Sequence, residues 1–451
     1  MGLGKPAHYV PQINLNMGLK QLRRHAAGID VGAESIYIGL PDGRVHRFGT
    51  FTSEFLAAAR LLKDQAVEDI AIESTGVYGV MLYEILHEQG FRVCLVNPSH
   101  AKSVPGRKTD VQDCQWLQQL HSYGLLNHSF IVDEPIKPLR DYLRLREQYI
   151  KDKARTVQHM QKALTLMNVR IHQVISQING ASGMRMLKAI IDGKRDPEQL
   201  LALCHERIQS TKREQVLAGL QGYYQPQHVY ALADAVESYE FYEKKIRDCD
   251  RQIEHVLQEL TQHKPMPKHL SKAKPIRHNK PHIDVLQHKM AQLTGQGTLT
   301  QLPGFTDYTV LRLVGELGTD LSKFATEQHF TSWLRLAPGK KNSGKTKRTY
   351  RYKNAPPAAV IFKQLAQSVM ESKHIGLGAF GRKIRARRGP GVAIKALARK
   401  LAELYYRAMT KGMMYVEQGI QAYEQRYKDK RINYLIKQAS SMGFELVPTE
   451  T

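Results

Sequence analysis

The sequence predicts an α/β N-terminal domain followed by a largely helical remainder, and three observations carry that prediction. Over residues 26–135, short apolar stretches bounded by glycine, proline or asparagine alternate with segments of helical period. From Leu139 the period lengthens to seven: Leu143, Ile150, Val157, Leu164 and Ile171 share one register, and Met160, Met167 and Val174 the complementary one. Beyond a basic, proline-punctuated stretch at 264–282, apolar residues keep helical spacing through most of the C-terminal part.

The chain has 451 residues, more than one core usually fills, so two or three domains are expected. Its formal net charge is +24, which points to a polyanionic partner, most simply nucleic acid. No apolar run is long enough to span a bilayer, and the N-terminus has no signal-peptide core, so a cytoplasmic protein without a membrane partner is expected. Four cysteines stand far apart without a CxxC pair and read as reduced thiols.

In chain order, 1–25 reads as a loose basic arm. Ala26-Ala27-Gly28-Ile29-Asp30-Val31-Gly32 is a central strand carrying one acid. Residues 35–40 form the next strand, and a Pro41-Asp42-Gly43 turn makes a hairpin with 44–48. A helix at 55–65 leads to Asp69-Ile70-Ala71-Ile72-Glu73-Ser74, a strand with Glu73 near its C-terminal end, where open α/β sheets place functional groups. Helix 80–89 and strand 91–96 follow.

Lys108-Thr109-Asp110-Val111-Gln112-Asp113 opens another helix. Its two carboxylates, three residues apart, share one face. In the plain reading Asp110 is the N-cap and Asp113 an N3 acid. Taken with Asp30 and Glu73, however, they make four acids that this order of elements can gather at one sheet edge. Four carboxylates so placed repel unless a cation sits among them. Two divalent ions about 3.5–4 Å apart would neutralise them in the arrangement that cuts phosphodiesters.

The heptad segments, the second running Tyr239, Tyr242, Ile246, Cys249, Ile253, Val256 and Leu260, predict a coiled coil over 136–263. An intramolecular hairpin and a dimer contact both satisfy the pattern. Arg146 and Lys153 interrupt its start. Residues 264–297 read as a basic linker able to lie along a nucleic-acid backbone. In 298–412, Pro303-Gly304 before an apolar helix resembles half of a helix-hairpin-helix, whose turn offers backbone N–H groups to phosphate. Ser343 sits in a stretch with Lys340, Lys341, Lys345, Lys347 and Arg348, a field that would attract and stabilise a reacting phosphodiester. On its residues alone Ser343 is a phosphate-binding hydroxyl or a plain loop residue before it is a nucleophile, because no base lies near it in sequence. Arg382, Arg385, Arg387, Arg388, Lys395 and Arg399 predict a phosphate-contacting surface. Residues 413–451 read as a further helix and a polar tail.

The segments around Asp30, Glu73 and Asp110/Asp113 resemble the DEDD signature of the transposases of insertion-sequence family one-ten, and Pro303-Gly304 and Ala337-Pro338-Gly339 through Ser343-Gly344 resemble that family's C-terminal transposase domain. The length and the basic insertion are similar to its subgroup eleven-eleven. The resemblance implies an RNase H-like first domain of the RuvC resolvase type, with Asp30, Glu73, Asp110 and Asp113 holding Mg²⁺. It implies Ser343 as a nucleophile forming a covalent phosphoserine link, working beside the acids of another subunit. It further implies a dimer of dimers on donor and target DNA, and a structured non-coding RNA that bridges the two by base pairing. Two other readings fit the residues: a metal-only junction resolvase, and a non-catalytic nucleic-acid-binding scaffold.

Overall fold

The computed structural model describes residues 8–9, 20–74, 76–96, 109–126, 130–272, 274–276, 278–337, 339–343, 346–350, 355–372 and 375–445. They form two compact units, Met1–Ile131 and Val132–Thr451.

The first unit is built on a mixed sheet of strands β1 (His8–Tyr9), β2 (Ala26–Val31), β3 (Ser35–Gly39), β4 (Arg44–Gly49), β5 (Asp69–Ser74) and β6 (Arg92–Val96), in the order β1-β4-β3-β2-β5-β6. The hairpins make β2, β3 and β4 antiparallel, whereas β5 and β6 run parallel to β2. Alternation along each strand divides the side chains between two faces. Ile29, Val31, Ile36, Ile38, Ile70 and Ile72 pack against helices α1 (Thr52–Asp64) and α2 (Val80–Glu88) through Phe55, Ala58, Leu62, Leu82 and Leu86. The opposite face, with Ala71, Cys94 and Val96, is covered by helix α3 (Asp110–Ser122) through Leu117.

The N-terminal arm is not loose where it is described. His8 and Tyr9 pair with Val45 and Arg44, and the backbone N–H groups of Leu22 and Arg23 donate to Ser122 O at 2.9 and 3.0 Å. Backbone pairing makes little demand on side-chain hydrophobicity, so the arm's polar composition hid it.

The second unit is mostly helical. Its two long helices, Lys137–Leu166 and Pro226–Thr261, run antiparallel within the chain: Arg146 meets Asp250, Lys153 meets Glu243, and Tyr149 lies beside Tyr242. The first helix stops earlier than the heptads predict. Asn168 takes a left-handed φ of 55°, a conformation asparagine tolerates. Ile171 and Val174 therefore leave the seam and join the helices over 181–220 that close this end.

Arg146 is no interruption of the seam. It is 1% exposed and donates to Asp250, itself fully buried, at 2.5 Å. It also donates to Tyr308 Oη at 2.7 Å and Asn279 O at 3.1 Å, while the His282 N–H donates to Asp250 Oδ2 at 3.0 Å. The basic stretch near 278–282 is thus pinned to the helix pair.

The Pro303-Gly304 turn also faces inward. Gly304 has φ +80°, and a Cβ there would come within 2.4 Å of Val369 on the helix Pro357–Glu371. The Phe305 N–H is taken by Leu302 O at 3.1 Å, and Thr306 caps the next helix, Asp307–Leu317, by accepting from the Thr309 N–H. Around them Phe305, Phe330, Phe362 and Tyr405 form an aromatic core. The helices Gly376–Arg388, Pro390–Lys411 and Met413–Ser441 complete the unit. Among the described residues no helix is long and apolar enough to cross a membrane.

Candidate active site

Strand β2 owes its position to what lies on it. Gly28 and Asp30 are two residues apart and share a face. A Cβ at Gly28 would stand 2.3 Å from both Cys114 O and Gln118 N, and one at Gly39 would stand 2.9 Å from Cys114 O. The absent side chains let the backbone of α3 rest directly on the sheet. Gln118 Nε2 then donates to Ala26 O at 3.1 Å, and Gln115 Nε2 to Arg44 O at 3.1 Å. With Gln118 near the start of β2, the first turn of α3 lies toward its end. That turn carries Asp110 and Asp113, and the strand end carries Asp30.

Parallel pairing sets Glu73 of β5 in register with Asp30. Asp30 and Glu73 are half-buried, Asp113 is half-buried and Asp110 is exposed. The Asp30 carboxyl is pushed up to about 6, first by burial, then by the charges of Glu73, Asp110 and Asp113. The structure therefore brings all four predicted acids into one electrostatic neighbourhood. The helix start differs in detail from its plain reading. Thr109 is the N-cap, its hydroxyl accepting from the Gln112 N–H at 3.3 Å, so Asp110 stands at N1 and Asp113 at N4. Neither acid serves as the cap, and both lie at the positive end of the helix.

Among the described residues no three His, Cys, Asp or Glu side chains make a ready-made metal cage. The donor set nonetheless fits a hard divalent ion: it is carboxylate oxygens alone, and the Asp30 carboxyl is raised first by burial and then by the charges of the other three.

Ser343 ends strand β7 (Gly339–Ser343), which pairs antiparallel with β8 (Thr346–Tyr350), placing Ser343 opposite Thr346. The predicted serine loop therefore contains a strand, of which Ser343 is the last residue. Lys340, Lys341, Lys347 and Arg348 lie on the two strands, and Lys345 falls outside the described residues.

The basic surface divides into two groups. Arg385, Arg387 and Arg388 are exposed at the C-terminal end of Gly376–Arg388. Arg382 instead donates to Met370 O and Ser372 O at 2.7 and 2.6 Å, capping the neighbouring helix. Arg399 pairs with Glu403 at 2.9 Å, an acid just beyond the basic run, while Lys395 is half-buried. The four cysteines are free and buried, and burial followed by the Asp30 charge pushes the Cys114 thiol up, so it has no nucleophilic role.

Sequence reasoning passed over Tyr37 and Arg47. Register places Tyr37 opposite Asp30 and Arg47 opposite Tyr37, extending the acid row across the sheet. Counting outward from the Pro41-Asp42-Gly43 turn would have shown it.

Two comparisons bear on this site. Residues 27–169 match the family model of the DEDD transposase domain of IS110 transposases. Residues 296–376 match that of transposases of the IS116/IS110/IS902 family. Among curated proteins, none matches the chain. The chain carries both transposase domains, which imply DNA as substrate and, for the first, use of a divalent metal.

Proposed function

We propose that this protein is the RNA-guided transposase of an insertion sequence, cutting and rejoining DNA through an acid site on an RNase H-like domain and a serine on its C-terminal domain. The observation that carries the reading is the carboxyl of Asp30, held near pH 6 by burial and by Glu73, Asp110 and Asp113. Asp30, Glu73, Asp110 and Asp113 would hold Mg²⁺, as two ions, which when bound neutralises the acids and the charge gathering on the reacting phosphate. The first turn of α3 carries Asp110 and Asp113 into the electrostatic neighbourhood of Asp30, and the β2–β5 register sets Asp30 beside Glu73.

Ser343 would attack a phosphorus atom of the DNA. The Oγ–P bond forms, the bond from phosphorus to a deoxyribose oxygen breaks, the serine proton departs, and the released sugar oxygen takes up a proton. A covalent phosphoserine preserves the bond energy for rejoining. Lys340, Lys341, Lys345, Lys347 and Arg348 would draw the backbone to the β7–β8 pair, and the exposed Arg385, Arg387 and Arg388 would bind it non-specifically. The net charge of +24 suits a complex with both DNA and a bridging RNA. The family resemblance supports the RNA, a dimer-of-dimers assembly, and a serine delivered to the acids of another subunit. The long helix pair supports a coiled-coil role in that assembly. Nothing favours a helix-hairpin-helix grip at Pro303-Gly304, since that turn is packed inward.

The test is Ser343→Ala in the full chain, purified with any RNA it carries and sequenced for that RNA. Loss of a protein–DNA adduct, with a discrete structured RNA recovered, supports the reading. An adduct that persists removes the serine. One observation favours the metal-only resolvase as a second reading: all four acids lie within the first compact unit. Strand cleavage that survives Ser343→Ala but not Asp110→Ala would establish it.

A further inference from the structure

One cross-strand row on the α3 face of the sheet reads Arg47, Tyr37, Asp30, Glu73. Registered neighbours on adjacent strands point the same way, so the exposed Arg47 shares the surface on which the acids stand. Its guanidinium lies over the Tyr37 ring, 5.8 Å from the centroid. The ring separates Arg47 from Asp30.

Among the described residues Arg47 makes no ion pair, although four carboxylates lie on its side of the sheet. Two other arginines of this unit are engaged: Arg44 holds Asp42 at 2.5 Å, and Arg92 holds Asp69 and Glu68 at 2.7 Å. Arg47 sits on a strand, which fixes where its side chain starts, and on an aromatic platform, which limits where it swings. A cation so placed beside an anionic site, yet not spent on it, suits an anion brought by the substrate.

Two strand spacings separate β4 from β2, roughly 10 Å, a span that along a duplex axis covers about three base-pair steps of 3.4 Å. The geometry points to Arg47 as a substrate-binding residue of the acid site, gripping a backbone phosphate two or three nucleotides from the one that is cut. The assignment rests on the acid-site reading above. It adds a second point of attachment, so that the strand enters along the row, across Tyr37 and onto the carboxylates. A planar guanidinium takes two phosphate oxygens at once, and a lysine would take them as a point charge.

The experiment is steady-state cleavage by the full chain, with its co-purifying RNA and Mg²⁺, on DNA bearing the sequence that flanks its own gene. Arg47→Gln is expected to raise KM by about ten- to a hundredfold, the usual effect of removing a charge-assisted hydrogen bond to phosphate, with kcat unchanged. Arg47→Lys recovers part of the loss. A single uncharged methylphosphonate two or three nucleotides from the cut should raise the wild-type KM as much, and Arg47→Gln should then cost nothing more on that DNA. An unchanged KM in Arg47→Gln overturns the assignment. So does a full additional loss in Arg47→Gln on every methylphosphonate DNA. Asp30→Asn, run beside it, separates the two failures. If Asp30→Asn is dead while Arg47→Gln keeps the wild-type KM, only the phosphate grip falls. If Asp30→Asn still cuts, the acid site itself falls.

Discussion

Two clusters of charge in this molecule are opposites. In the second unit, Arg146 and Asp250 lie fully buried, opposite in sign, with Tyr308, Asn279 and His282 completing their hydrogen bonds. In the first unit, four acids of one sign share a neighbourhood, and Asp30 is held well above the ordinary carboxylate range. The first cluster is neutral within itself and serves to join helices to the segment near 280. The second gathers four acids of one sign, a charge that a bound cation would relieve. Where charge is balanced internally it holds structure, and where like charges gather it waits for a ligand.

The largest test breaks the balanced cluster. Arg146→Ala strands the Asp250 charge and should cost about 3–5 kcal/mol, whereas Arg146→Met with Asp250→Leu should restore most of it, as read by denaturant unfolding. Next is the platform of the like-charged cluster. Gly28→Ala places a methyl against the α3 backbone and should cost about 1–3 kcal/mol while lowering cleavage, because α3 and its two acids must move.

A smaller effect has the opposite sign. Because the folded pKa of Asp30 is raised, the folded chain keeps a proton that the unfolded chain loses between pH 3.8 and about 6. Its contribution to stability therefore falls as pH rises through that window and stays low above it. Asp30→Asn should remove this dependence and stabilise the metal-free protein at pH 8 by about 1 kcal/mol after solvent screening, while ending cleavage. The smallest effect lies at the surface. Changing Arg385, Arg387 and Arg388 together to Ala should weaken DNA binding across sequences. It should also flatten the salt dependence by about one unit of slope for each phosphate no longer neutralised.

These contrasts also show what the chain could disclose before folding. The positions of the four acids on two strands and a helix were legible because each sits at a predictable place on an element of clear period. The partner of Arg146 was not, because Asp250 lies a hundred residues away and only antiparallel pairing joins them. Arg382 and Arg399 read as free cations for nearer reasons: Arg382 is taken up by a main-chain carbonyl at Met370, which no charge count records, and Arg399 by Glu403, one turn beyond the basic run. The heptad pattern ran past the end of its helix because periodicity does not register one left-handed asparagine. Tyr37 and Arg47 were within reach, since a hairpin of known turn fixes its own register.

The central claim is that the four acids repel until a divalent ion joins them, and calorimetric titration of Mg²⁺ in buffers of different ionisation heat tests it most directly. Near pH 6 Asp30 is half protonated, so binding should expel about half a proton, a release that vanishes by pH 8 and is absent in Asp30→Asn, which should also bind more weakly. Binding that expels no proton at pH 6, and that Asp30→Asn leaves unweakened, would contradict it.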